Sequence, residues 1–166
     1  DNKPILDEKL DTWVAPFFMA PINTKNVHRS NMLMNHMYGE DFCYNEMWVM
    51  GSGDEGKAAA DFISSSNPLS DAPKPGEGPS RESRENGNYD VLFCGDINEE
   101  SVHVSVAGDM DPGYGSTSKM ITESAICLVK ECKDLTGGIY TPAPSMGIKL
   151  IKRLQDNAGL TFKVEN

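Results

Sequence analysis

The sequence predicts an α+β fold, a mixed and largely antiparallel β-sheet covered by helices, interrupted by one long Pro/Gly/Ser-rich loop at about residues 64–88. Three observations carry this. Val102, Val104 and Val106 alternate with polar residues, the period of a half-buried strand, and follow another strand-like run from Tyr89 to Gly95. Ile121, Ala125, Leu128 and Cys132 recur at i, i+4, i+7 and i+11, the period of a helix. From Ser64 to Asn88 the composition turns to Ser, Pro, Gly, Asn and scattered charge, with too little apolar surface to offset its ordering entropy, so a solvated excursion is expected there.

The elements follow in order. Residues 11–20 are bulky, rich in β-formers and punctuated by proline, which predicts a strand at a sheet edge or with a bulge. Asn23 or Thr24 then caps a helix to about Met37, with Val27, Met34 and Met37 on one stripe and Arg29 and Asn31 off it. Phe42 to Met50 reads as a strand, Gly51 to Gly56 as a turn, and Lys57 to Ser65 as a short helix with Ala58, Ala59, Phe62 and Ile63 inward. Beyond the excursion, Asp96 to Glu100 makes the hairpin turn between the two clearest strands. A glycine loop, Asp109 to Thr117, feeds the long helix, with Ser116 or Thr117 as its cap and Gly137-Gly138 ending it. Pro142 opens a last helix to about Asn157, carrying Gly147, Leu150, Ile151 and Leu154 inward, and Leu160 to Val164 closes as a strand.

Composition excludes several function classes. The chain has 166 residues with 15 Lys plus Arg against 25 Asp plus Glu, a formal charge of −10 that repels phosphate backbones and anionic lipid. Nucleic acid and membrane surfaces are therefore not expected as partners. No apolar run approaches the roughly 20 residues of a spanning helix. Asp1-Asn-Lys-Pro-Ile-Leu has no initiator Met and no signal-peptide pattern, so the chain reads as part of a longer protein, and its cysteines suit a cytoplasmic one. Cys43, Cys94, Cys127 and Cys132 form no CxxC, and the last two, five apart on a helix, do not share a face, which predicts reduced, buried thiols.

Two runs carry candidate chemistry. Gly51-Ser-Gly-Asp-Glu-Gly56 is a literal GxGxxG, but Asp54 and Glu55 would stand where a pyrophosphate must sit. The strand before it contains Asn45 and Glu46, whereas a first Rossmann strand is nearly continuously apolar. The run is read as a tight turn. His28, His36 and His103 have no metal-ligand spacing, and no metal is expected. The polar run Asn23 to Asn31 opens a helix with Lys25 and Arg29, a plausible carboxylate or phosphate subsite in an acidic chain and equally a solvated helix face. Asp111-Pro-Gly-Tyr-Gly-Ser-Thr117 places glycines where backbone can approach a ligand under Tyr114, or simply joins strand to helix.

Five ordered runs make the sequence resemble a known family. They are Ala15-Pro-Phe-Phe-Met-Ala-Pro-Ile-Asn-Thr-Lys-Asn-Val-His-Arg-Ser-Asn31, Tyr38-Gly-Glu-Asp-Phe-Cys-Tyr-Asn-Glu-Met47, Asp111-Pro-Gly-Tyr-Gly-Ser-Thr-Ser-Lys-Met-Ile-Thr-Glu-Ser-Ala125, Gly137-Gly-Ile-Tyr-Thr-Pro142 and Leu160-Thr-Phe-Lys-Val164. Together they resemble the C-terminal part of saccharopine dehydrogenase-like oxidoreductases, in the branch that includes trans-acting enoyl reductases. The resemblance implies that residues 1–166 form a substrate-side and dimerisation domain, and that an N-terminal Rossmann domain absent from this chain binds NAD(P). No cofactor is then expected within the chain, which alone would be catalytically incomplete. It further implies a homodimer, a small-molecule substrate, and a cleft faced by Asn23, Arg29, Ser30 and Asn31 on the first helix and by Pro112, Gly113, Tyr114 and Thr117 on the loop. None of these is assigned a catalytic proton. The competing expectations are a chiefly structural, dimerising domain and a stand-alone module for a small ligand.

Overall fold

A three-stranded antiparallel sheet opens the chain in the order β1-β2-β3, built from Ile5–Asp7, Thr12–Pro16 and Met47–Gly51. The computed structural model describes residues 3–66, 73–74, 76–98 and 100–165, in two compact units, Asp1–Ala72 and Pro73–Asn166. The α+β class is as the sequence predicts, with the strands divided between two antiparallel sheets.

In the first unit, β2 is the central strand and not an edge, and its register slips between Trp13 and Val14, so the expected irregularity is a bulge. Helix α1 spans Ala20–Leu33. It starts before the predicted Asn23 cap because Pro21 suits a first turn, and the Phe17 carbonyl already accepts from the Ala20 amide at 3.0 Å. It stops before Met37 because Asn35 and His36 take positive φ. The residues of α1 that are buried are Ser30 and Asn31, while Met37 of the expected apolar stripe is 74% exposed.

Helix α2, Gly53–Ser65, packs across β2 and β3. It begins inside the glycine run, where Asp54 and Glu55 favour the positive end of the helix. Its inward residues are Gly56 and Ala60; Ala58, Phe62 and Ile63 are exposed, contrary to the predicted face. A Cβ at Gly56 would lie 2.0 Å from the Gly51 carbonyl oxygen, so glycine there lets the helix sit directly on the strand end. The Cβ of any other residue would push them apart.

The second unit begins in what was expected to be an unstructured excursion. Residues 67–72 and 75 of that stretch lie outside the described residues, but Arg81–Asn86 form a short helix, α3, capped by the Ser80 hydroxyl, which accepts from the Ser83 amide. The sheet that follows, β4 (Tyr89–Ile97), β5 (Glu100–Gly108) and β6 (Leu160–Glu165), is antiparallel in the order β4-β5-β6. Val91, Val106 and Phe162 stand in one cross-strand row, and Val106 and Phe162 pack on the core, which sets the apolar face of the whole sheet.

Helices α4 (Gly115–Glu131) and α5 (Pro142–Asn157) cover part of that face. The core joins Cys127, Cys132, Met146, Leu150, Leu154, Ala158 and Leu160. The thiol reading needs correction at two points. Cys43 and Cys94 are exposed, and because α4 ends at Glu131 the chain turns Cys132 back beside Cys127. Burial, and then the hydrogen bond with Cys132, pushes the Cys127 thiol up. The predicted α4 stripe is also rotated, since Ile121 and Leu128 are exposed while Ser116 and Cys127 face in. In α5, Leu150 and Leu154 are inward as predicted, and Gly147, at φ 48°, kinks the helix where no left-handed L-residue would sit easily.

Candidate functional site

Asp111 organises the glycine loop. Its Oδ1 accepts from the Gly113 and Tyr114 amides at 3.1 and 3.0 Å, and its Oδ2 accepts from the Gly115 amide at 2.5 Å. Gly115 is the first residue of α4 and Gly113 and Tyr114 lead into it, so the carboxylate, and not Ser116 or Thr117, fixes the turn that opens the helix and complements its dipole. The Thr117 hydroxyl donates to the Pro112 carbonyl, and Ser116, fully buried, meets the Tyr89 hydroxyl at 2.8 Å. With the amides of 113–115 taken, this backbone does not offer itself to a ligand. The Tyr114 side chain, 46% exposed, does.

Tyr114 forms a wall shared by two adjoining grooves of about 360 and 550 Å³ in the second unit. Arg84 lines both, with Arg81, Glu85 and Met110 in one and Lys74 and Glu77 in the other. The Asp111 amide donates to the Arg84 carbonyl at 3.0 Å, tying α3 to the loop. Arg81 is neutralised by Glu85 at 2.6 Å, whereas Arg84 makes no ion pair among the described residues. The arrangement is a guanidinium with no ion pair among the described residues, beside a phenol ring and a methionine, in a protein of net charge −10. Such a set holds a carboxylate or phosphate by charge and lays an apolar group along the ring.

In the first unit two of the quoted runs meet. The Asn23 amide nitrogen donates to Glu46 Oε2 at 2.9 Å, and the Tyr44 hydroxyl donates to Glu46 Oε1 at 2.8 Å. Burial, and then the hydrogen bond to the Glu46 carboxylate, raises the Tyr44 phenol well above the ordinary tyrosine range. Asn31, buried, donates to the Gly39 carbonyl and accepts from the Tyr38 amide, both at 2.8 Å, closing the turn after α1. Ser30 donates to the Asn26 carbonyl at 2.9 Å. His28 meets Phe42 edge to face with ring centroids 5.5 Å apart. Arg29 is exposed on the same helix. The first amides of α1 are satisfied within the chain, Ile22 and Asn23 both donating to the Met19 carbonyl. A helix-start anion site therefore has no open backbone donors at Ile22 and Asn23.

Thus Asn23, Arg29, Ser30 and Asn31 belong to the first unit, and Pro112, Gly113, Tyr114 and Thr117 to the second. Within its own unit each group is held together chiefly by internal hydrogen bonds. Arg84, Arg81 and Lys74 were missed because they lie in the stretch expected to be an unstructured loop. The signals were there: Ser80 as a cap, and Arg81 and Glu85 four apart. Among the described residues no group of His, Cys, Asp and Glu could hold a metal ion, and no helix is long and apolar enough to cross a membrane.

Comparison with known proteins finds relatives described as trans-acting enoyl reductases. It is 34% identical to the Mycobacterium tuberculosis protein named "Putative trans-acting enoyl reductase Rv2449c", with 92% of this chain and 42% of that protein aligned. It is 30% identical to the trans-acting enoyl reductase of Mycobacterium ulcerans and 29% identical to that of Mycobacterium bovis, in each case over 92% of this chain and 41% of the relative. The chain therefore spans about two fifths of the length of these curated relatives. No protein-family profile and no solved structure matches it.

Proposed function

We propose that this chain is the C-terminal, substrate-side part of an NAD(P)-dependent, saccharopine dehydrogenase-like oxidoreductase of the trans-acting enoyl reductase branch, working in the cytoplasm. The observation that supports this is the 34% identity along 92% of the chain to a protein of that description. The residues present do not fit the dinucleotide. The glycine run at 51–56 ends a strand of an antiparallel sheet, its Gly56 is pressed on Gly51, and Asp54 and Glu55 occupy the helix start. The cofactor accordingly belongs to the remainder of the full-length protein, in a Rossmann domain preceding this one. In this reading Tyr114, Arg84 and Lys74 contact a small anionic substrate in the second unit, and Arg29 is a separate exposed cation of the first. Asn23, Ser30, Asn31, Pro112, Gly113 and Thr117 hold the backbone on which those side chains stand.

Two measurements test it. NADH and NADPH titrated calorimetrically should bind the full-length parent and not this chain; tight binding to the chain would overturn the division of labour. In the parent, Arg84→Gln should lower kcat/KM about 10-fold or more, the worth of one charged hydrogen bond, and an unchanged value removes the groove from the substrate path.

A second reading is that the chain is chiefly a scaffold that brings two copies together. It is favoured by the sheet of the second unit, where Val91, Phe93, Val102 and Val164 are 42–66% exposed on the apolar face.

A further inference from the structure

Among the described residues, the order β4-β5-β6 gives β4 a single hydrogen-bonding neighbour. Its other side presents the backbone N–H and C=O groups of alternate residues between Tyr89 and Ile97. Proteins blunt such edges with lysine, proline or a bulge. Here Tyr89-Asp-Val-Leu-Phe-Cys-Gly-Asp-Ile97 contains no lysine, arginine or proline, and its register against β5 runs unbroken from Tyr89 to Ile97. Every residue from Asp90 to Ile97 is exposed.

We propose that β4 is an interaction edge, at which two copies of this chain pair antiparallel about a two-fold axis normal to the sheet and make one six-stranded sheet. This names the surface for the scaffold reading and rests on that reading only for self-association itself. A two-fold of this kind keeps like faces together, so Val91, Phe93 and Ile97 continue the apolar face of one copy into the next.

Charge selects the registers in which the edge is self-complementary. The only charges on β4 are Asp90 and Asp96. Centred on Phe93, the pairing sets Asp90 against Asp96 of the second copy at both ends, and like charges directly opposite are destabilising. Centred on Cys94, it sets Val91 against Ile97, Leu92 against Asp96, and Phe93 over Gly95. Centred on Leu92, it sets Val91 against Phe93 and Asp90 against Cys94. Both arrangements pair apolar or aromatic side chains and keep the aspartates apart.

The test is the mass of the chain by light scattering at about 100 µM in roughly 0.15 M salt, where charges beyond some 8 Å are screened. The wild-type chain should weigh twice its 18.2 kDa. Leu92→Asp should return it to 18.2 kDa with unchanged far-ultraviolet circular dichroism, because position 92 is exposed and the new carboxylate meets Asp96 or itself in either register. Ile148→Asp, an equally drastic change at an exposed site on α5, should leave the dimer intact. A monomeric wild type overturns both this surface and the scaffold reading. A Leu92→Asp chain that stays dimeric overturns this surface alone, and so does loss of the dimer in Ile148→Asp.

Discussion

Removing the Asp111 carboxylate should loosen the loop that carries Tyr114, and the size of the effect follows from its three amide partners. Asp111→Ala strips acceptors from the Gly113, Tyr114 and Gly115 amides at once. A helix cap is worth about 0.5–2 kcal/mol. A negative charge at the helix start adds roughly 0.3–1 kcal/mol. The loss should therefore be about 2 kcal/mol. In a unit the size of Pro73–Asn166 each kcal/mol is roughly 4–8 °C of Tm, so a fall of about 10 °C is expected. Asp111→Asn retains one acceptor oxygen but neither the charge nor the second acceptor, and should lose about half as much. Denaturant titration followed by far-ultraviolet circular dichroism measures both variants. Amide exchange at Gly113, Tyr114 and Gly115 locates the change. A loss below about 0.5 kcal/mol in Asp111→Ala, or an Asn variant no better than the Ala variant, would refute the capping account.

Gly56→Ala should cost roughly 3 kcal/mol or more in denaturant stability, because its Cβ would meet the Gly51 carbonyl at 2.0 Å with backbone on both sides. Gly147→Ala meets nothing within 4 Å, yet should still cost about 1–3 kcal/mol for holding an L-residue at φ 48°, a pure backbone effect read in the same titration. Tyr44 adds a pH dependence. Its phenol is raised above the ordinary 10.0 in the folded chain, so below pH 10 its contribution to stability is complete. Above pH 10 the unfolded chain releases the proton first, and the contribution declines as pH rises toward the folded value. The fall in stability from pH 9 to about pH 11 should be smaller in Tyr44→Phe than in the wild type.

What the sequence made legible depended on how locally each feature is determined. The β4–β5 hairpin and the start of α5 follow from period-two valines and from a proline in a first turn, and both stand where expected. Helix faces were read less well. Leu128 and Ile121 look like a core stripe by spacing, but α4 buries Ser116 and Cys127 because the Tyr89 hydroxyl receives Ser116 and the sheet fills the space beside Cys127. Spacing alone does not say which of two apolar faces a tertiary neighbour will cover. Asn31 was placed off the stripe of Val27, Met34 and Met37, yet it is buried because its amide serves two backbone groups of a turn that had not been foreseen. Arg84 was hidden for the opposite reason. Its segment is poor in apolar residues, and α3 is held by the Ser80 cap and by one backbone bond to Asp111 that sequence periodicity does not reveal.

The runs that carry the family resemblance consist largely of residues that bond within their own unit. Asn23 goes to Glu46, Asn31 to Tyr38 and Gly39, Thr117 to Pro112, and Asp111 to the start of α4. Residues bonded in this way hold a local architecture, and they say little about which substrate is held. Chemistry toward a ligand must come from side chains with something left to offer, and in the grooves of the second unit those include Tyr114 and Arg84. The two classes separate by experiment in the full-length parent. Asp111→Asn should lower stability and activity together, because it moves the wall on which Tyr114 stands. Arg84→Gln should lower kcat/KM with stability unchanged within about 0.5 kcal/mol, since the side chain is exposed and makes no ion pair among the described residues. If Arg84→Gln instead tracks Asp111→Asn in both, the guanidinium is a structural part of the loop, and the substrate contact must be sought among the residues of α1.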